Sequence, residues 1–151
     1  MKGLIPILTK KESSREFLSK VFPQCRELVV LAVIDASEKK TDFGLTASDI
    51  AQANEIISQI LVSAKENKAK AEDILEWGEL HHKLVNTVKL SNVKKVFLIK
   101  TDSEEQKGLI KELKKEGIEL QLIELIELQE EKEEEKKENS KGFFGFLPKL
   151  N

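Results

Sequence analysis

Short apolar runs alternate with longer amphipathic stretches along this chain, and the alternation predicts strands and helices in turn. KGLIPIL (2–8) is a continuous apolar run and reads as a buried strand. ESSREFLSKVF (12–22) sets Phe17, Leu18, Val21 and Phe22 at helical spacing, with Ser13 or Ser14 as cap and Pro23 as stop. ELVVLAVID (27–35) is β-branched and unbroken, the pattern of a strand covered on both faces. A polar loop, ASEKKTDFG, follows. From Thr46 the longest helix carries Ile50, Ala53, Ile57, Ile60, Leu61 and Ala64 in one stripe, and Thr46 with Asp49 approximates a capping box. AEDILEW (71–77) is a shorter, more polar strand broken by Gly78. ELHHKLVNTVKL (79–90) has Leu80, Leu84, Val85 and Val88 on one helical side. KKVFLIK (94–100) is a strand, SEEQKGLIKELKKEG (103–117) a helix stopped at Gly117, and IELQLIEL (118–125) the fifth strand.

Five strands alternating with four helices imply crossover connections and a mainly parallel five-stranded sheet. The predicted fold is a three-layer α/β/α sandwich of the flavodoxin-like class. Such a sheet opens its ligand crevice beyond the carboxyl ends of the strands, where the strand order reverses. Thr9, Lys10, Asp35, Thr101 and Ser103 lie at or near predicted strand ends and are the candidate cleft residues. The α/β domain is assigned to residues 1–126. After it, QEEKEEEKKENSK has no apolar residue, so 127–141 reads as a charged helix or a linker. Residues 142–151 form a Phe-rich tail.

The order of elements resembles the universal stress protein family over roughly residues 2–125. KGLIPIL with SSREFL is similar to that family's first strand and helix, and ELVVLAVID to its second strand. ILEWGELHHKLVNTVKLSNVKKVFLIK is similar to its third strand, glycine, helix and fourth strand. ATP-binding members of the family carry a Gly-x-x-Gly motif and a later Gly-Ser or Gly-Thr after the fourth strand. Glycines there let backbone N–H groups approach the phosphates. This chain has KTDSEEQKGLIKELKKEG instead, with Gly108 and Gly117 isolated and Asp102, Glu104 and Glu105 repelling phosphate. The family's Asp at the end of the first strand is Leu8 or Thr9 here. The resemblance therefore implies a member that does not bind ATP in the family's manner. A nucleotide- or small-ligand-binding stress sensor with a degenerate phosphate loop is the alternative it leaves open.

Composition narrows the chemistry further. The 151 residues are 40% hydrophobic and 34% charged, with net charge −2, so nothing draws the whole chain to nucleic acid. No run approaches the roughly 20 apolar residues that span a bilayer, and MKGLIPIL is too short for a signal peptide. The expectation is a cytoplasmic protein, and its Lys/Glu-rich charge hints at a thermophilic source. The single Cys25 fits a reducing compartment and reads as a small buried residue. His81 and His82 are adjacent on a helix, point apart and lack further donors for a metal. Trp77 reads as core. No nucleophile and base are placed together, so the sequence predicts no enzyme, cofactor or metal.

Two features read as interfaces. The last strand is a predicted sheet edge with Ile118, Leu120, Leu122 and Leu125 as its apolar positions, and edges invite pairing with a second chain. The family resemblance also implies a homodimer through this strand. The second feature is KGFFGFLPKLN, in which Phe143, Phe144 and Phe146 make up three of the seven Phe in the chain. Burying these with Leu147 yields about 8 kcal/mol gross, before the ordering cost, which suits docking on this protein's own body, its dimer mate or another protein. The acidic residues 130–138 disfavour an anionic membrane as the target.

Overall fold

The computed structural model describes residues 1–36 and 43–126. In chain order the elements are β1 (Lys2–Pro6), α1 (Arg15–Val21), β2 (Glu27–Asp35), β3 (Leu45–Thr46), α2 (Ile50–Glu66), β4 (Lys70–Trp77), α3 (Leu80–Leu90), β5 (Lys95–Ile99), α4 (Glu104–Lys115) and β6 (Leu120–Ile123). A 3-10 turn, Ala47–Asp49, leads into α2.

All strand pairs are parallel. β1 pairs with Glu27–Leu31 of β2 and, on its other side, with β5, which pairs with β6. β4 pairs with β2 from Glu27 to Ile34. Leu31 is bonded to β1 and β4 together, and Ile34 to β3 and β4 together, so β3 lies on the β1 side of β2. The lanes therefore run β4, β2, β1, β5, β6. The two residues of β3 continue the β1 lane beyond its end, where the Gly44 N–H donates to the Leu8 carbonyl at 2.8 Å. Five lanes match the sequence reading. The sixth strand is an addition, made by residues read as loop and helix cap, because the exposed tip of β2 still has backbone groups to satisfy.

The two faces of β2 supply both cores. Leu28, Val30, Ala32 and Ile34 pack under α1 and α2, with Phe17, Val21, Ile57 and Ile60 above them. Val29, Leu31 and Val33 pack under α3 and α4, with Leu84, Val88, Leu109 and Leu113. This is the three-layer arrangement that the unbroken apolar run required. The helix starts follow local rules. Ser14 Oγ accepts from the Phe17 N–H at 3.3 Å, and Ser103 Oγ from the Gln106 N–H at 3.2 Å. Thr46 and Asp49 form the capping box, on the 3-10 turn rather than on the α-helix itself.

Three expectations are corrected. Trp77 is 51% exposed rather than core, because β4 is the outer lane among the described strands. Phe43, assigned to a polar loop, is buried under α3 beside Leu8 and Val33. The last strand is shorter than 118–125. The Ile118 N–H still bonds back to the Leu113 carbonyl at 3.0 Å as the chain leaves α4 through Gly117 (φ 75°). Leu125, beyond the strand, is buried with the α1/α2 layer, and Ile118 and Leu120 pack against the α3/α4 layer. Of the four predicted edge positions only Leu122 is substantially exposed, at 38%. Phe143, Phe144, Phe146 and Leu147 lie outside the described residues, as do the assigned linker and tail boundaries.

Gly3 sits where β1 meets a bulky neighbour. A Cβ there would stand 2.7 Å from Phe97 Cε2 and 3.1 Å from Cys25 Sγ. Both contacts are buried, so a methyl group forces the Phe97 ring off its rotamer. Gly3→Ala is expected to destabilise the fold by about 1–3 kcal/mol, read as a lower urea midpoint with an unchanged slope.

Candidate functional site

The strand order reverses between β1, whose chain goes on to β2, and β5, whose chain goes on to β6. The loops after these two strands therefore stand side by side at the carboxyl end of the sheet, the position for a ligand crevice in such folds. Thr9 and Lys10 lie in the first loop and Thr101 and Ser103 in the second. Asp35 ends β2 one lane away, exposed and in register with Thr46. The sheet thus brings the first four together and leaves Asp35 at the rim.

Each loop is closed by a buried polar side chain of its own. Glu12 is 1% exposed, and its carboxylate accepts from the Thr9 N–H at 3.0 Å and from Thr9 Oγ1 at 2.8 Å. Thr9 Oγ1 in turn accepts from the Lys11 N–H at 3.2 Å. Burial pushes the Glu12 carboxyl above its ordinary range, and the bonds from Thr9 oppose that shift. In the second loop Gln106 is buried. Its Oε1 accepts from the Thr101 N–H at 2.8 Å and its Nε2 donates to the Ile99 carbonyl at 2.6 Å. The Ser103 N–H donates to Thr101 Oγ1 at 3.3 Å, and the two hydroxyls lie 2.9 Å apart.

These bonds decide what the loops can hold. A phosphate cradle needs several backbone N–H groups aimed outward. The N–H groups of Thr9, Thr101, Ser103 and Gln106 all point to side chains of the same loop. Lys10, held at φ 68°, turns its ammonium to Asp49 at 2.8 Å. Asp49 Oδ2 also accepts from the Thr46 N–H at 2.8 Å. The Lys10 hydrogen bond, followed by the Thr46 N–H, lowers the Asp49 carboxyl below its ordinary value. Lys10 thereby ties the first loop to the start of α2.

Glu12, Gln106 and Asp49 were absent from the sequence-based site. A signal for two of them existed. Thr9-x-x-Glu12 and Ser103-x-x-Gln106 both match the reciprocal capping pattern, which marks a Glu or Gln whose side chain returns to a nearby backbone N–H. The Lys10–Asp49 pair joins residues far apart in sequence and had no local signal. His81 and His82 open α3. His82 Nε2 lies 3.2 Å from Asn86 Nδ2, and the Glu79 carboxylate caps the helix. Among the described residues no three His, Cys, Asp or Glu side chains form a metal-holding group, and no helix is long and apolar enough to cross a membrane.

A scan against protein-family models finds no match, and neither does a search of curated proteins. Solved structures do match. A universal stress protein from Archaeoglobus fulgidus aligns at TM-score 0.62 and 14% identity, covering 82% of this chain and 93% of that one. The hypothetical protein MJ0577 aligns at TM-score 0.53 and 18% identity, covering 82% of this chain and 95% of that one. The hypothetical protein PH0823 aligns at TM-score 0.50 and 16% identity over similar shares. At these identities the likeness is one of fold. It places the chain in the universal-stress-protein-like, flavodoxin-like class of parallel α/β folds that its pattern of elements suggested.

Glu12 gives this site a pH signature. Its carboxyl is raised in the folded chain, so the folded state binds its proton at higher pH than the unfolded state does. Stability contributed by this group is complete below its ordinary value of 4.5 and is lost as pH rises through the folded value. Glu12→Gln keeps the Oε acceptor for Thr9 and removes the buried charge. The stability of the wild type relative to Glu12→Gln is expected to rise as pH falls from about 7 toward about 5, measured by urea midpoints at each pH. A flat or falling difference contradicts this account of Glu12.

Proposed function

We propose that this chain is a non-catalytic binding and regulatory protein that acts as a homodimer, joined along the free edge of β6, with its Phe-rich segment as a docking element. The observation that speaks against nucleotide binding in the crevice is the internal bonding of its two loops. Four loop N–H groups, those of Thr9, Thr101, Ser103 and Gln106, are taken up by Glu12, Gln106, Thr101 and Ser103 of the same chain. Freeing the Thr9 and Thr101 N–H groups means breaking bonds to the buried Glu12 and Gln106, at about 1–3 kcal/mol each. Asp102, Glu104 and Glu105 around the start of α4 add negative charge where phosphates would lie.

The dimer reading rests on β6. It is the last lane of the sheet, with no described strand on its outer side. Leu122 stands exposed on it, and the Lys100–Glu124 pair at 3.0 Å lies at its end. Two copies related by a twofold axis would pair these edges antiparallel and cover both Leu122 side chains. The other edge strand, β4, is defended by Lys70, Glu72, Asp73 and Glu76, which favours β6 as the joining edge.

Two measurements test this reading. Light scattering of the full chain is expected to give the mass of two copies, and Leu122→Glu to give the mass of one with the fold intact by circular dichroism. A monomeric wild type removes the dimer. Titration with magnesium ATP is expected to leave the amide signals of Thr9, Lys10, Asp35, Thr101 and Ser103 unmoved. Saturable shifts at these residues would instead establish a nucleotide sensor that opens its own loops.

A further inference from the structure

In a sheet of parallel strands each helix runs back to where the next strand begins. The last turns of the four helices and the first residues of β4, β2, β1 and β5 therefore meet at one end of the domain, opposite the crevice. The helices bring Lys20, Lys65, Lys89, Lys114 and Lys115 to that end. The strand starts and the turns before them bring Lys2, Arg26, Lys68, Lys70, Lys94 and Lys95. Five carboxylates share the face, those of Glu27, Glu66, Glu72, Glu116 and Glu119. Lys2, Lys89 and Lys95 pair with Glu72, Glu116 and Glu119 at 3.6, 3.0 and 3.7 Å. The other eight cations are exposed and make no ion pair among the described residues. The opposite end is acidic, with Asp35, Asp49, Glu79, Asp102, Glu104 and Glu105 at strand ends and helix starts. A chain of net charge −2 thus carries one strongly basic face.

Helix ends alone do not account for this face. A lysine in a last turn offsets the negative end of the helix dipole, which explains the five on the helices. It does not call for Lys2, Lys70, Lys94 and Lys95, which stand at strand starts. The cations also spread in two dimensions. From Lys70 through Arg26 and Lys2 to Lys94 the lane starts cross about 14 Å. The helix ends flank this row on both sides of the sheet.

We propose that this face docks the domain on an anionic lipid bilayer. A bilayer is a plane of negative charge that all eight exposed cations can approach together. Nucleic acid carries its charge along a line, which would leave cations on one or both sides of it unused. Single strands also favour aromatic platforms, and no aromatic side chain is exposed at this end among the described residues. Leu90 ends α3 beside Lys89 and is 87% exposed, an apolar side chain among lysines that can enter the headgroup layer. The acidic residues 130–138 are reached through Ile126, whose N–H donates to Glu16 Oε2 at 2.7 Å in the first turn of α1, at the far end of the domain. This docking goes beyond the protein-binding role proposed above and rests on neither the β6 edge nor the crevice.

The test is co-sedimentation of the full chain with phosphatidylcholine vesicles that contain phosphatidylserine, and with phosphatidylcholine vesicles alone. Binding is expected only to the first, and it is expected to fall steeply between about 50 mM and about 500 mM salt. Lys20→Gln, Lys70→Gln and Lys94→Gln together, all at exposed positions, are expected to weaken it on the order of 100-fold. Leu90→Ser is expected to weaken it severalfold without changing the salt dependence. Lys100→Gln with Lys107→Gln, at the other end of the domain, is expected to leave it unchanged. Circular dichroism checks the fold of each variant. The inference is overturned by absent binding to phosphatidylserine vesicles, by equal binding to phosphatidylcholine alone, or by a triple variant that binds as the wild type does. An equal loss in the Lys100 and Lys107 pair, or an unaffected Leu90→Ser, overturns it as well. So does a short DNA duplex that binds more tightly than the vesicles and loses that affinity in the triple variant, which would assign the face to nucleic acid. Failure in any of these ways leaves the β6 dimer and the internally bonded loops standing, because they are read by mass and by ATP titration.

Discussion

β2 has no free side, and the rest of the molecule is arranged around that condition. β4 bonds one edge of it from Glu27 to Ile34, while β1 and then β3 bond the other. From Leu28 to Ile34 every side chain is buried, alternating between the two cores. A strand with seven consecutive apolar residues can be accommodated only between two helix layers, since either face left in water would forfeit about 1.5–3 kcal/mol per large side chain. Parallel partners then follow, because helices must return the chain across the faces. The two-residue β3 is a consequence of the same demand. β2 outruns β1, and its last backbone groups need a partner.

With the lanes set, the crevice is a by-product of the reversal between β1 and β5. What fills it is a matter of side chains. Glu12 and Gln106 each sit near the start of a helix and turn back into the preceding loop, so the N–H groups of Thr9 and Thr101 are taken up internally. Burying the Glu12 carboxyl works against its charge, and the two bonds from Thr9 offset part of that penalty. The fold supplies the place for a ligand, and residues such as Gln106 decide whether backbone donors remain to bind it.

The same framework leaves surface features unsatisfied on the other side of the balance. Among the described strands β6 is the last lane and carries an exposed Leu122, and Val62 on α2 stands in water. β4 also ends the sheet, with Leu75 and Trp77 partly exposed, yet its charged residues and the Lys2–Glu72 and Lys83–Glu76 pairs blunt it. The chain leaves β6 bound to α1 through Glu16 rather than projecting away from the sheet.

The sequence by itself determined the elements and their class. Hydrophobic period reports which face of each segment is buried, so five strands, four helices and the doubly covered β2 could be read from it, with the first helix cap narrowed to Ser13 or Ser14. It also located Thr9, Lys10, Thr101 and Ser103, because strand ends in a parallel sheet lie together. Only the tertiary structure decided what no local pattern encodes. Phe43 is buried because it joins the cluster of Leu8, Val33 and Leu84, and Trp77 is exposed because no described strand lies on the outer side of β4. Lys10 meets Asp49 because β3 brings the start of α2 beside the first loop. Periodicity is a property of neighbours along the chain, whereas these contacts depend on distances that strand order alone sets.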